Sequence, residues 1–385
     1  MSSGNREDHT YVLFMDVNKT IMMADPAGGK SVEDVCNDVI AEQAWGNSSD
    51  PSGPAEDASF ALGHPELVFD RPSGEATRLS YVDWVRAHHP EVVATRAAEG
   101  HVAAKDVRRK YVKTFTCPGQ PGEAFAPIKD ALRDGIGTDH LIVTSFLAGI
   151  VDLEAKRMAA ETPFQVAVVF RTFGTDLPEI LHEFNAFCDG DDPRFPGVSF
   201  PHLKVDVSSH VGSVRRVGTG GFVALNTVER VVDDHGHIES DDLDQPIPDD
   251  RVLLPLDASF LSSLLDRIAS PSGSFAIRDD YPAWARAVWN PAGGKIFPVV
   301  LDPASTRVST AFFDDNINYG DDAAKDNIVC PIDSSSGDVI PIASVLRTHA
   351  VRVDPLSIVL NPTYYIDLWD TVFHSFVPPT PTSTS

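Results

Sequence analysis

The chain has 385 residues, 42% hydrophobic and 23% charged, enough to bury the core of one large domain or of two smaller ones. Its 31 basic and 56 acidic residues leave a net charge of −25, which argues against nucleic acid and anionic membranes as partners, since both draw on clustered Lys and Arg. No stretch approaches the ~20 apolar residues of a membrane span, and the polar start MSSGNREDHT lacks a secretory apolar region. Cys36, Cys117, Cys188 and Cys330 show no CxxC or histidine-paired spacing, so neither a zinc site nor a disulfide framework is expected. The expectation is a soluble, cytoplasmic protein.

After a polar leader, YVLFM (11–15) is short and apolar and predicts a buried strand ending at Asp16. SVEDVCNDVIAEQAW (31–45) has helical spacing with Ser31 placed to cap it. From Gly46 to about Gly74 the chain turns to Gly, Pro, Ser and Asp, an irregular excursion. LSYVDWVRAHHP and the stretch to about Phe115 return to helical character. GEAFAPIKDALRDG and DHLIVTSFLAGIVDLEAKRMAAE (139–161) also read as helices.

FQVAVVFRTFG then predicts a strand whose apolar run ends at Arg171-Thr172, followed by a helix over TDLPEILHEFNAFCDG. Thr175 or Asp176 is placed to cap that helix and Gly190 to stop it. Residues 191–255 are Pro/Gly/Asp-rich with strand-like pieces, an excursion or a peripheral ribbon. ASFLSSLLDRIAS reads as a helix, and SFAIRDD, KIFPVVLD and STAFFDDN as strands, before the Pro/Ser/Thr-rich tail 377–385, expected to be disordered. Helix, strand, turn and helix in alternation predict a doubly wound, Rossmann-like parallel α/β sheet. DPAGGK (25–30) and NPAGGK (290–295) echo each other too briefly to form a repeat.

In open α/β sheets ligands gather beyond the carboxyl ends of the strands. Three apolar runs end in residues suited to phosphate chemistry: Asp16, Thr172 and Asp314-Asp315, with Lys295 following two glycines. A carboxylate can attack phosphorus and carry an aspartyl phosphate. Mg²⁺ held by carboxylates lets the two anions meet. A threonine hydroxyl and a lysine can support the phosphoryl oxygens.

In that order the residues resemble the four motifs of the haloacid-dehalogenase-like (HAD) hydrolase superfamily: DVNKT (16–20), Thr172 in VVFRTFG, Lys295 in AGGK and FFDDN (312–316). The resemblance implies a nucleophilic Asp16, a phosphate-binding Thr172 and Lys295, and an Mg²⁺ site of Asp16, the Asn18 backbone carbonyl, Asp314 and Asp315. It also implies a core over 1–45 and 120–320, a cap inserted at 46–119 and a C-terminal extension over 321–376. The substrate class it implies is a phosphorylated small molecule or phosphoprotein.

Asn18 departs from the pattern, standing where phosphatases of the superfamily carry a second aspartate. The amide cannot exchange a proton, and acid–base help is worth ~10²–10⁴-fold, so slow turnover or binding without turnover both follow. Lys30 and Lys325 compete with Lys295 for the lysine role. Strand alternation turns Arg171 away from Thr172 and leaves it unassigned. Asp279 and Asp280 suit a helix cap or a pocket rim. His88, His89, Arg96, Arg108, Arg109 and Lys110 read as surface residues with a possible reach to phosphate.

Overall fold

The run Val12–Met15 is buried on both faces, the pattern of a central strand, and forms β1 (His9–Asp16). The structure, a computed structural model, describes residues 9–24, 30–48, 59–72, 78–88, 110–137, 140–217, 220–225, 253–268, 273–287, 290–320 and 322–376. His89, Arg96, Arg108, Arg109 and the 377–385 tail lie outside them.

After β1 come α1 (Val32–Gln43), β2 (Trp45–Ser48), β3 (Phe60–Leu62), β4 (Leu79–Ser80), α2 (Tyr81–His88), α3 (Ala126–Ile136) and α4 (Thr144–Ala159). The chain continues through β5 (Phe164–Thr172), α5 (Leu177–Asp189), β6 (Val211–Val217), β7 (Gly220–Leu225), β8 (Leu253–Pro255) and α6 (Ser259–Ile268). Then follow β9 (Phe275–Arg278), α7 (Tyr281–Arg286), β10 (Lys295–Val299), α8 (Pro303–Thr306) and β11 (Val308–Asp314). The last elements are β12 (Val329–Asp333), β13 (Ala350–Arg352), α9 (Ser357–Leu360) and α10 (Tyr364–Phe376).

Two compact units result. One comprises Met1–Met22, Leu141–Val353 and Asn361–Ser385; the other comprises Met23–His140 and Asp354–Leu360. The first is built on a sheet of order β13-β11-β1-β5-β9-β6-β7-β8. From β13 to β6 the six strands are all parallel, and β7 and β8 extend the edge antiparallel. Helices flank the sheet, an α/β arrangement consistent with a Rossmann-like fold.

On one face Val12, Phe14, Val169, Phe275 and Phe312 share a core with Phe260 and Leu264 of α6 and Phe297 of β10. On the other, Phe170 meets Phe184 of α5 edge-on at 4.8 Å, and Phe313 meets Trp369 of α10 at 6.4 Å. Gly190 ends α5 in the left-handed conformation, as expected of a glycine stop.

Two expectations change in this unit. The helix anticipated from residue 139 begins at Thr144, because Ile142 bridges Met22 and Val143 N–H donates to Ile21 O. KIFPVVLD forms a strand outside the main sheet, paired in parallel with β12 alone. Within 191–255, β6, β7 and β8 form one edge of the main sheet, a peripheral ribbon within the core span, and 226–252 lies outside the described residues.

The second unit takes α1, which the sequence reading had joined to the core. Helical periodicity identifies a buried face but not its partner, and here α1 packs on α2 and α3. Ser31 and Asp34 form the reciprocal capping box that starts it. The excursion after Gly46 carries a small antiparallel sheet, β3-β2-β4, where a Cβ on Gly46 would meet Ala61 O at 2.4 Å. His88 is buried rather than on the surface, since it stacks on Trp84 and its Nδ1 lies 2.9 Å from Trp84 O. Lys110 is exposed.

Candidate functional site

β1, β5 and β11 run parallel and bring their carboxyl ends together. Met15 pairs with Phe313 and Asp16 with Arg171, so Asp16 and Asp314 leave the sheet at one level on adjacent strands. The two carboxylates are 5% and 0% exposed. Lys295, 1% exposed, reaches them from β10: its Nζ donates to Asp16 Oδ1 and to Asp314 Oδ2, the latter at 2.8 Å. Asp16, Asp314 and Asp315 each offer an oxygen within 4.8 Å of the others.

The chain just after β1 wraps this cluster. Val17 O accepts from the N–H groups of Thr20, Ile21 and Met22, and Lys19 takes the left-handed conformation at φ 59°. The resulting turn aims Thr20, whose hydroxyl donates to Asp16 Oδ2 at 3.4 Å and accepts from Asp315 N at 3.2 Å. Thr20 thus ties the first strand end to the acidic doublet. The sequence reading passed over it, although it stands within the quoted DVNKT.

Electrostatically the cluster is unbalanced. Burial, then the neighbouring Asp314 carboxylate, pushes the Asp16 carboxyl up to about 7 against the pull of Lys295. Burial works against the Lys295 charge, but Asp16 and Asp314 outweigh it and hold the ammonium above its ordinary range. Two buried carboxylates share one ammonium, leaving negative charge that a proton or a second cation can offset.

Asn18 and Thr172 stand beside the cluster and not in it. Asn18 Nδ2 donates to Asp176 Oδ2 at 3.0 Å, and Thr172 Oγ1 accepts from Gly174 N at 2.8 Å. A Cβ on Gly174 would lie 2.3 Å from Asp176 Oδ2, 3.2 Å from Thr172 Oγ1 and 3.3 Å from Asn18 Nδ2, so glycine lets the three polar atoms converge. Asp176 stands at the start of α5, as anticipated, but its side chain makes no cap bond to the helix and contacts Asn18. A cap aspartate and a site aspartate look alike in sequence.

Of the competing lysines, Lys30 pairs with Asp38 at 2.5 Å in the second unit and Lys325 is exposed, which leaves Lys295. Asp280 caps α7 through Ala283 N at 2.9 Å, as one of its two readings had it. Arg171 does face away from Thr172, but it forms a bidentate pair with Asp279, at 2.9 and 2.5 Å, fully inside the unit.

The oxygen donors suit a hard cation. Asp16, Asp314 and Asp315 supply carboxylates, and Asn18 Oδ1 is a buried carbonyl oxygen with no hydrogen-bond partner among the described residues. The fold and site together define an α/β protein with a buried acid–lysine cluster at the carboxyl edge of its parallel sheet. Compared with protein-family models, curated proteins and solved structures, the chain matches none.

Proposed function

We propose that the chain is a HAD-like, Mg²⁺-dependent phosphomonoester hydrolase or phosphotransferase working through Asp16. The observation that carries this reading is the convergence of Asp16, Lys295, Asp314 and Asp315 from three separate strands on one buried point. Asp16, Asp314, Asp315 and the Asn18 backbone carbonyl would hold the ion. When bound, Mg²⁺ supplies the positive charge that lets an anionic nucleophile and a phosphate approach. The residues inserted after Met22 correspond in chain position to the cap such a protein carries.

In this reading an Asp16 oxygen attacks phosphorus, and the bond from phosphorus to the leaving oxygen breaks to give an aspartyl phosphate. Lys295 offsets charge on the transferring oxygens and Thr172 binds one of them. Asn18 has no proton to give. Asp176, the carboxyl that accepts a hydrogen bond from Asn18 Nδ2, in our reading passes a proton to the leaving oxygen. It then takes one from the water that attacks the aspartyl phosphate, releasing phosphate and restoring Asp16.

Asn18 also favours a second reading, a metal- and phosphate-binding protein without turnover. Aryl phosphate hydrolysis in Mg²⁺ separates the two. A slow enzyme loses activity in Asp16→Asn and in Asp176→Asn, the latter by up to ~10²–10⁴-fold, and gains in Asn18→Asp. The double variant Asn18→Asp/Asp176→Asn recovers what Asp176→Asn lost. Mg²⁺ binding with no hydrolysis in either wild type or Asn18→Asp supports the binding protein.

A further inference from the structure

Lys295 faces a positional problem that the other cluster residues do not. Asp16 and Asp314 stand on adjacent strands of the main sheet, whose ladder bonds fix their separation. Lys295 opens β10, which pairs with β12 in a separate two-stranded sheet. No ladder bond sets the ammonium against its carboxylates.

Two arginines make that connection. Arg171, the residue paired with Asp16 across β1 and β5, donates from Nη1 to Ile296 O at 2.9 Å, one residue past the lysine. Its Nε and Nη2 are taken by the Asp279 carboxylate at the end of β9. Arg216, at the end of β6, donates to Ala292 O, three residues before the lysine, while its own N–H is held by Asp280 at 3.1 Å. Both cations contact the Phe312 ring, Arg171 Cζ at 5.4 Å and Lys295 Nζ at 5.7 Å from its centroid. A buried arginine–carboxylate pair adds little net stability over an apolar pair of equal volume, so its presence calls for another reason.

We propose that the buried Arg171–Asp279 pair is a positioning device for Lys295, anchoring β10 to the main sheet so that the ammonium bridges Asp16 and Asp314. The inference rests on the proposed role of Lys295 at the phosphate. It assigns Arg171 and Asp279 no contact with substrate.

The test uses the full chain carrying Arg171→Met, Arg171→Lys or the near-isosteric Asp279→Asn, the last covering the case that Arg171→Met does not fold. Crystal structures read the Lys295 Nζ to Asp314 Oδ2 contact, and aryl phosphate kinetics in Mg²⁺ read turnover. In folded variants the ammonium moves by about 1 Å and kcat falls on the order of 10²-fold. KM stays little changed, as expected when only a transition-state interaction is lost. Arg171→Lys stays slow because one ammonium cannot span both Asp279 and Ile296 O. A folded variant with the Lys295 contact intact and kcat unchanged overturns the proposal. If the wild type itself shows no turnover, the functional reading fails separately. The structures alone then decide: a displaced Lys295 upholds the positioning role and an unmoved one overturns it.

Discussion

Two buried ionic clusters lie next to each other at the carboxyl edge of the sheet, and they differ in balance. In one, Arg171 and Asp279 match fork to fork, one charge against one, with the third guanidinium nitrogen on a backbone carbonyl. In the other, Lys295 is shared between Asp16 and Asp314 with Asp315 close by, and negative charge is left over. The first is complete within the protein. The second leaves a carboxyl pushed up to about 7 and oxygens placed for a further cation. A balanced pair holds shape; an unbalanced cluster invites a ligand.

Five measurements bear on this difference. The largest effect belongs to Lys295→Met, which leaves two buried carboxylates facing each other. Destabilisation of about 3–5 kcal/mol in urea unfolding at pH 8 is expected, shrinking as the medium is acidified. A loss under about 1 kcal/mol would show that the cluster is already hydrated and not a closed site.

Mg²⁺ comes next. At a hundred times its dissociation constant an ion bound only by the folded state adds about 2.7 kcal/mol. If the proposed site binds Mg²⁺, the gain in thermal stability is expected to disappear in Asp314→Asn and to persist in Asp279→Asn, because only the first removes a proposed ligand.

The pH dependence in chelated buffer follows from Asp16. Its carboxyl holds a proton more tightly in the folded state than in the unfolded chain, where it titrates near its ordinary 3.8. That contribution is complete below the unfolded value and is lost as pH rises through about 7. Stability therefore declines across this window in the wild type. Asp16→Asn flattens the decline, and curves of equal slope in the two proteins would count against an elevated carboxyl.

Gly174→Ala pushes a methyl against Asp176 Oδ2, for about 1–3 kcal/mol in denaturant unfolding and a slower turnover than wild type. The smallest effect is at the surface, where Lys156 spans Asp152 and Asp370 in solvent; Lys156→Gln is expected to shift stability by only about 0.2–1 kcal/mol.

Much of this edge was legible in the chain. Asp16 and Asp314 each end a short apolar run, and such runs become central strands whose ends are exposed to a common rim. Lys295 was less legible, since Lys30 sits in a nearly identical string, and only folding shows Lys30 held by Asp38. Thr20, Asp176 and Arg171 were not read as site residues. Threonine in a turn, aspartate before a helix and arginine near a strand end all have ordinary local uses, and their partners lie 4, 158 and 108 positions away. The extent of α1's partnership and the small sheet after Gly46 escaped for the same reason.

The long apolar runs of the α/β core and the acids that end them are readable in the chain, because hydrophobic period and strand termini are local properties. Folding in three dimensions placed β10 outside the main sheet, gave one ammonium to two strand ends, and set a buried arginine–aspartate pair against the strand that carries it. Those outcomes depend on burial and on charges brought together from distant positions, which no local pattern encodes.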